Sequence, residues 1–272
     1  MGHPPTKATA PPLLLRPLIS FDATISHFIH QLTKPITPRF LLLLLEFLAD
    51  FRFAFPVFVS LFLATPSSSP LRSHLLSPLL LCSLLDLLFI ALVKSLVRRS
   101  RPLYATHDQY NAVVSVDHFS FPSGHSSRVF FIASLFYFSQ AAILSSMSDL
   151  KARAHPRLTE LIHRWIGEDD IVAVNLLVLI VWIWAFATAF SRLTLGRHYV
   201  LDILVGAFLG VLEALFTLRF LRVKQTKKKP HFYVKSTVAL ALIVGMLRWD
   251  RGRLLEKRVG NNQRERIPDE AL

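Results

Sequence analysis

The sequence predicts an all-α protein, a polytopic bundle of about six membrane-spanning helices with its chemistry gathered at one membrane face. Two observations predict the bundle. Hydrophobic residues make up 52% of the 272 and the mean hydropathy is +0.44, too apolar for a soluble domain whose surface must be largely polar. Those residues also fall into runs of close to 20, the length that crosses a hydrocarbon core. A third observation predicts the placement of the chemistry: the polar residues that need explaining sit at the ends of these runs.

Residues 1–38 are rich in Pro, Thr and Ala and read as an N-terminal polar extension, without the long apolar core of a cleavable signal peptide. Apolar runs follow at about 40–64, 75–97, 125–147, 171–190 and 199–220. A shorter sixth, at about 232–247, carries Lys235 near its start and reads either as a span with a snorkelling lysine or as an interfacial segment. Residues 39–247 are thus expected to form one membrane-embedded domain, followed by a basic tail at 248–272. If successive spans alternate in direction, the end of the second, the start of the third, the end of the fourth and the start of the fifth reach one face.

The net charge of +13 would suggest a nucleic-acid partner in a soluble protein. Here the charge lies between apolar runs and in the tail, where membrane-flanking cations belong, so no nucleic acid is expected. The single cysteine, Cys82, excludes an internal disulfide and a cysteine-rich metal site.

Three polar clusters carry candidate chemistry. The first, Lys94-Ser-Leu-Val-Arg98-Arg99-Ser-Arg101-Pro102, closes the second span. Seven residues are about two helical turns, so Lys94 and Arg101 share a face if the helix runs on. By itself the cluster reads more readily as a basic flank at the headgroups, with Lys94, inside the apolar run, arguing against it. The second, Ser120-Phe121-Pro122-Ser123-Gly124-His125-Ser126-Ser127, opens the third span. Pro, Ser and Gly before a long apolar helix mark a helix start, whose unpaired amides favour an anion. His125 would stand beside that anion, able to donate a proton. The third, Ser191-Arg192-Leu-Thr-Leu-Gly196-Arg197-His198-Tyr-Val-Leu-Asp202, joins the fourth span to the fifth. His198 and Asp202 are four apart, so on a helix the carboxylate can accept a hydrogen bond from one ring nitrogen and leave the other basic.

Together the clusters offer cations, amide donors, two histidines and an orienting carboxylate, the set that phosphoryl transfer requires. There is no Asp-x-Asp, His-Glu-x-x-His or Walker loop to hold a metal. Gly206 and Gly210 read as a close helix-packing pair. Glu46, Asp50 and Asp86 are candidate buried carboxylates, with Arg52 a candidate structural partner, and Asp117 and His118 read as loop polarity beside the second cluster.

The succession Lys-x6-Arg-Pro, Pro-Ser-Gly-His and Ser-Arg-x5-His-x3-Asp resembles the three-part signature of the type 2 phosphatidic acid phosphatase superfamily over about residues 40–220. The stretches 114–125 and 195–202 are similar to the plant lipid phosphate phosphatase beta group and to relatives acting on presqualene and polyisoprenoid diphosphates. The resemblance implies that His198 attacks phosphorus to give a phosphohistidine while Asp202 orients it. It implies that His125 is first acid to the leaving group and then base to water. Lys94, Arg101, Ser123, Gly124 and Arg192 would hold the phosphate, with no cofactor and no requirement for magnesium. The implied substrate is the phosphomonoester or diphosphate of a membrane lipid, phosphatidate or a prenyl or presqualene diphosphate, reached from the bilayer. The expected location is the endoplasmic reticulum membrane, and the sequence leaves a homo-oligomer open. Two other readings share these residues: a haloperoxidase that holds vanadate, and a lipid-binding scaffold without turnover.

Overall fold

The computed structural model describes residues 15–102, 104, 119–153 and 169–220. Among these the regular elements are helical. Helix α1 spans Arg16–Thr33, with Pro17 in its first turn, where a missing N–H costs nothing. Helix α2 (Arg39–Leu48) starts behind Pro38. Helix α3 (Phe51–Ala64) begins at Asp50, whose side chain accepts from the Arg52 amide at 2.9 Å. The predicted run at 40–64 is therefore two helices, because the cap at Asp50 breaks the chain between them. At 14 residues, α3 is about 21 Å long, short of the roughly 30 Å of hydrocarbon.

Helix α4 (Arg72–Val97) opens with a wider π-type turn at Arg72–Leu76 and then runs regularly. Helices α5 (Gly124–Phe138) and α6 (Gln140–Arg153) meet at a 65° bend, so the predicted span at 125–147 is also broken. Helix α7 (Asp170–Thr194) is capped by the Asp169 carboxylate, which accepts from the amides of Ile171 and Val172. Helix α8 is Val200–Phe220. Three helices, α4, α7 and α8, are long and apolar enough to cross a membrane, or up to four if the bent α5–α6 pair is one span. The six expected spans thus reduce to this number among the described residues; the sixth candidate, 232–247, lies outside them.

Burial is arranged for a lipid solvent. On α4, Leu84, Leu88 and Leu92 are exposed, whereas Asp86, Ile90 and Lys94 on the opposite stripe are buried. The centre is α5, where every residue from Ser126 to Leu135 is buried, as expected of a helix enclosed on all sides. It packs mainly against α8 and α7. Phe131, Ile132 and Leu135 join Leu79 and Cys82 of α4 and Val174 of α7 in one apolar cluster. A second cluster forms from Val129, Phe130 and Ala133 with Ala185 and Ala189.

The α5–α8 contact depends on two glycines. A Cβ at Gly210 would stand 2.1 Å from the Ser127 carbonyl oxygen and 2.7 Å from the Phe131 nitrogen, and one at Gly206 would stand 2.4 Å from the Ser123 oxygen. These are backbone atoms that cannot step aside, so the helices must separate to admit even a methyl group. The expected close-packing pair is therefore present, and it lies directly behind the Pro-Ser-Gly-His segment. Gly210→Ala is expected to destabilise the protein by about 1–3 kcal/mol. Thermal unfolding in detergent checks this, and an unchanged midpoint would mean that the helices do not approach so closely.

Candidate active site

The three clusters meet at one end of the bundle. The Ser120 amide donates to the Arg99 carbonyl at 2.8 Å, and its hydroxyl donates to the Ser100 carbonyl at 3.0 Å. The Ser123 amide donates to the Asp202 carbonyl at 2.9 Å. An Arg101 Nη1 donates to the Arg197 carbonyl at 3.3 Å. These backbone-anchored bonds tie the end of α4, the start of α5 and the α7–α8 turn together, the one-face placement that alternating spans predict.

Local geometry sets how each side chain arrives. Helix α4 stops at Val97, and Arg98 takes a left-handed conformation with φ 50°. The helix therefore does not run on to Arg101, which reaches the site from an irregular segment, while Lys94 remains in the last turn, buried. Helix α7 ends through Gly196 at φ 69°. The Gly196 amide donates to Leu193 and the Arg197 amide to Arg192, a paired C-terminal cap that needs glycine for its left-handed residue. This reversal delivers His198 immediately before α8.

His198 precedes the helix, so the expected i to i+4 hydrogen bond on a helix face takes a different form. Asp202 lies in the first turn of α8, and its Oδ2 accepts from the Tyr199 amide at 2.9 Å, the backward reach of a capping box. The same oxygen is 3.6 Å from His198 Nδ1, within ion-pair range but beyond a hydrogen bond. Nδ1 is buried and has no hydrogen-bond partner among the described residues. The Asp202 Oδ1 is held by Arg99 Nη1 at 2.8 Å. Burial, followed by the positive charges of Arg101, Arg192 and Lys94, holds the His198 imidazole well below its ordinary pKa of 6.5, opposed by a hydrogen bond to the Ser120 backbone. The ring is therefore neutral at neutral pH, as a nucleophile must be.

Arg192, in the last turn of α7, is fully buried. Its Nε and both Nη atoms have no hydrogen-bond partner among the described residues. Glu46 of α2 approaches Nη1 to 3.0 Å, close enough for charge attraction without hydrogen-bond alignment, and also pairs with Arg197. A buried guanidinium with unsatisfied donors is costly, and a tetrahedral oxyanion is the group whose geometry matches its fork. Nearby, His125 Nε2 is likewise buried and unpartnered among the described residues. His125 lies within electrostatic reach of Arg192, Arg128, His198 and Lys94. Ser123 caps α5 by accepting from the Ser126 amide and hydroxyl at 3.4 and 2.9 Å. Gly124 faces Ile90, whose Cγ2 would be 3.2 Å from an added Cβ.

The candidate carboxylates divide between structural pairing, with Arg52 the partner the sequence offered, and the neighbourhood of the site. Arg52 pairs with Asp50 at 2.7 Å, leaving Glu46 to the two arginines at the site. Asp86 accepts from Ser127 at 2.7 Å and pairs with Arg128 at 3.4 Å, directly beneath the start of α5. Arg99 entered the sequence analysis only as part of the basic cluster that ends the second span, and Arg128, Asp22 and Ser26 were not singled out by sequence. Arg128 alone had a legible signal, as a charge inside an apolar run. Asp117 and His118 lie outside the described residues.

The family described as the PAP2 superfamily matches residues 75–226. The chain is 50% identical over 211 residues to the probable lipid phosphate phosphatase beta of Arabidopsis thaliana, covering 77% of this chain and 93% of that one. It resembles the crystal structure of the transmembrane PAP2 type phosphatidylglycerolphosphate phosphatase from Bacillus subtilis, with a TM-score of 0.51 and 21% identity over 78% of this chain and 90% of that one, a likeness of fold. With its apolar helices and the convergence of all three motifs, this chain belongs to the PAP2 superfamily as an integral membrane protein.

Proposed function

We propose that this chain is a phosphatase acting on a membrane lipid phosphate or diphosphate through a phosphohistidine, without a metal. The observation that carries the reading is the fully buried Arg192, with guanidinium donors unsatisfied among the described residues, set among two imidazoles and the end of α4. In the first step a His198 ring nitrogen forms a bond to phosphorus as the bond from phosphorus to the lipid oxygen breaks. His125 gives its proton to that oxygen. In the second step His125 takes a proton from water, the hydroxide attacks phosphorus, and the nitrogen–phosphorus bond breaks to release inorganic phosphate. Lys94, Arg101 and Arg192, with the Ser123 hydroxyl and the Gly124 amide, neutralise the equatorial oxygens, the work a metal ion does in other phosphoryl-transfer sites. The exposed leucines beside Lys94, including Leu92 and Leu96, give an apolar approach along α4 for a lipid tail.

The test is a panel of phosphatidate, lysophosphatidate, sphingoid phosphates and prenyl diphosphates presented to detergent-solubilised protein in EDTA. Phosphate release from at least one lipid class, undiminished by the chelator, is expected. Loss of all activity on chelation, restored by a divalent ion, would overturn the metal-independent mechanism.

A further inference from the structure

Helix α1 lies outside the three motifs, yet it carries a buried polar stripe. Asp22, Ser26 and His30, spaced four apart, are 4%, 0% and 6% exposed. The stripe faces the site. Asp22 Oδ1 accepts from the Leu201 amide at 3.0 Å, and Ser26 Oγ accepts from the Val200 amide at 2.9 Å. Two of the first amides of α8, which no residue of α8 itself can satisfy, are thus capped by another helix. Asp22 Oδ2 receives Arg99 Nη2 at 2.6 Å, and the other Nη of the same guanidinium holds Asp202. The Arg99 plane also lies over the Tyr199 ring, 4.0 Å from its centroid. Arg99 therefore bridges two buried carboxylates, and its position is fixed from the α1 side. On the other side of α1, Leu18, Phe21, Phe28 and Leu32 are exposed, the apolar stripe that an interfacial helix turns to lipid.

We propose that α1 is a working part of the active site, with Asp22 a positioning residue that acts through Arg99 to aim the Asp202 carboxylate at His198. The inference rests on the reading of His198 as nucleophile and Asp202 as its orienter. Asp202 is asked to cap Tyr199 with one oxygen while facing the imidazole with the same edge. Arg99 holds the other oxygen and so sets the rotation of the carboxylate. With Asp22 neutralised, the Arg99 guanidinium keeps one buried partner in place of two and loses its fixed orientation. The Leu201 amide loses its charged cap at the same time, while Ser26 still holds the Val200 amide. The expected consequence is a slower nucleophilic step with lipid binding retained, because Asp22 acts on Arg99 and the Leu201 amide, neither of which is assigned to the phosphate.

Full-length D22N, D202N and the D22N/D202N double variant test this by a mutant cycle in one detergent. D22N is expected to lower kcat by about tenfold or more with KM changed less than about twofold. The double variant is expected to be no slower than D202N alone, because an effect transmitted through Asp202 vanishes once Asp202 is neutral. Ser26→Ala, which removes the hydroxyl that donates to Asp22 Oδ1 at 3.5 Å and so loosens Asp22 itself, is the second variant, with a smaller loss in the same direction, and its cycle with D202N carries the proposal if D22N does not fold. Wild-type kcat in D22N, beside an impaired D202N, would overturn the role of α1 and leave the reading of the site standing. Losses that multiply in the double variant would also overturn it, since they would place the effect of Asp22 elsewhere. A fully active D202N would remove both the inference and the reading beneath it.

Discussion

Replacing His198 by alanine is expected to lower phosphate release by more than ~10⁴-fold, the scale seen when a nucleophile is removed from a site that otherwise stays intact. That loss corresponds to about 5.4 kcal/mol of transition-state stabilisation. The neighbouring carboxylate is not free to take over: Asp202 is committed to Arg99 and to the Tyr199 amide. The measurement is a quenched reaction with phosphorus-labelled lipid. Wild-type protein should carry acid-labile, base-stable label, and H198A should carry none while retaining its thermal midpoint. Label in H198A would reassign the nucleophile. The acid limb of kcat/KM should also fall well below pH 6.5, because burial and the charges of Arg101, Arg192 and Lys94 lower the His198 pKa from that value. The sign follows from the nucleophile being the unprotonated ring: activity is retained as pH falls through 6.5 and is lost only at the lower, folded-state pKa. Removing one of the cations, as in Arg101→Gln, should move the limb upward even as it weakens phosphate binding.

The second large effect belongs to His125, and it depends on the leaving group. With a lipid alkoxide, His125→Ala should slow turnover by about 10²–10⁴-fold, the usual contribution of a positioned acid. With an aryl phosphate, whose phenolate leaves without a proton, the first step should be nearly spared. The second step still lacks its base, so the phosphohistidine should accumulate and release a burst of phenol close to one per enzyme. Equal losses on both substrates, with no burst, would show that His125 acts on binding and not on proton transfer. This separates it from Arg192, whose removal should weaken every substrate carrying the same phosphate if its donors, unpartnered among the described residues, meet the oxyanion as proposed and not the departing group.

Chemistry confined to short stretches was legible in the sequence. Ser123 before a long apolar run marked the start of α5, and the structure places it as the cap. Gly206 and Gly210, four apart, announced a close helix approach that their missing Cβ atoms make necessary. The errors came where the same local signals were extended too far. Lys94 and Arg101 share no helix face, because Arg98 turns left-handed between them. The run at 40–64 reads as one span by hydropathy, but Asp50 in its middle is a helix cap. An acidic residue inside an apolar run looks alike in sequence whether it is paired or capping, and only its neighbours in space decide.

The sequence by itself determined that lipid is the solvent of this chain and which eight residues are candidates for the phosphate chemistry, because apolar run length and motif spacing are properties of adjacent residues. The tertiary structure alone decided their partners. Arg99 reaches Asp22 across 77 positions and Asp202 across 103, and Glu46 of α2 meets Arg192 at the far end of α7. Such pairings are set by how helices pack, and the shape of the packing surfaces carries no periodicity along the chain from which a distant partner can be read.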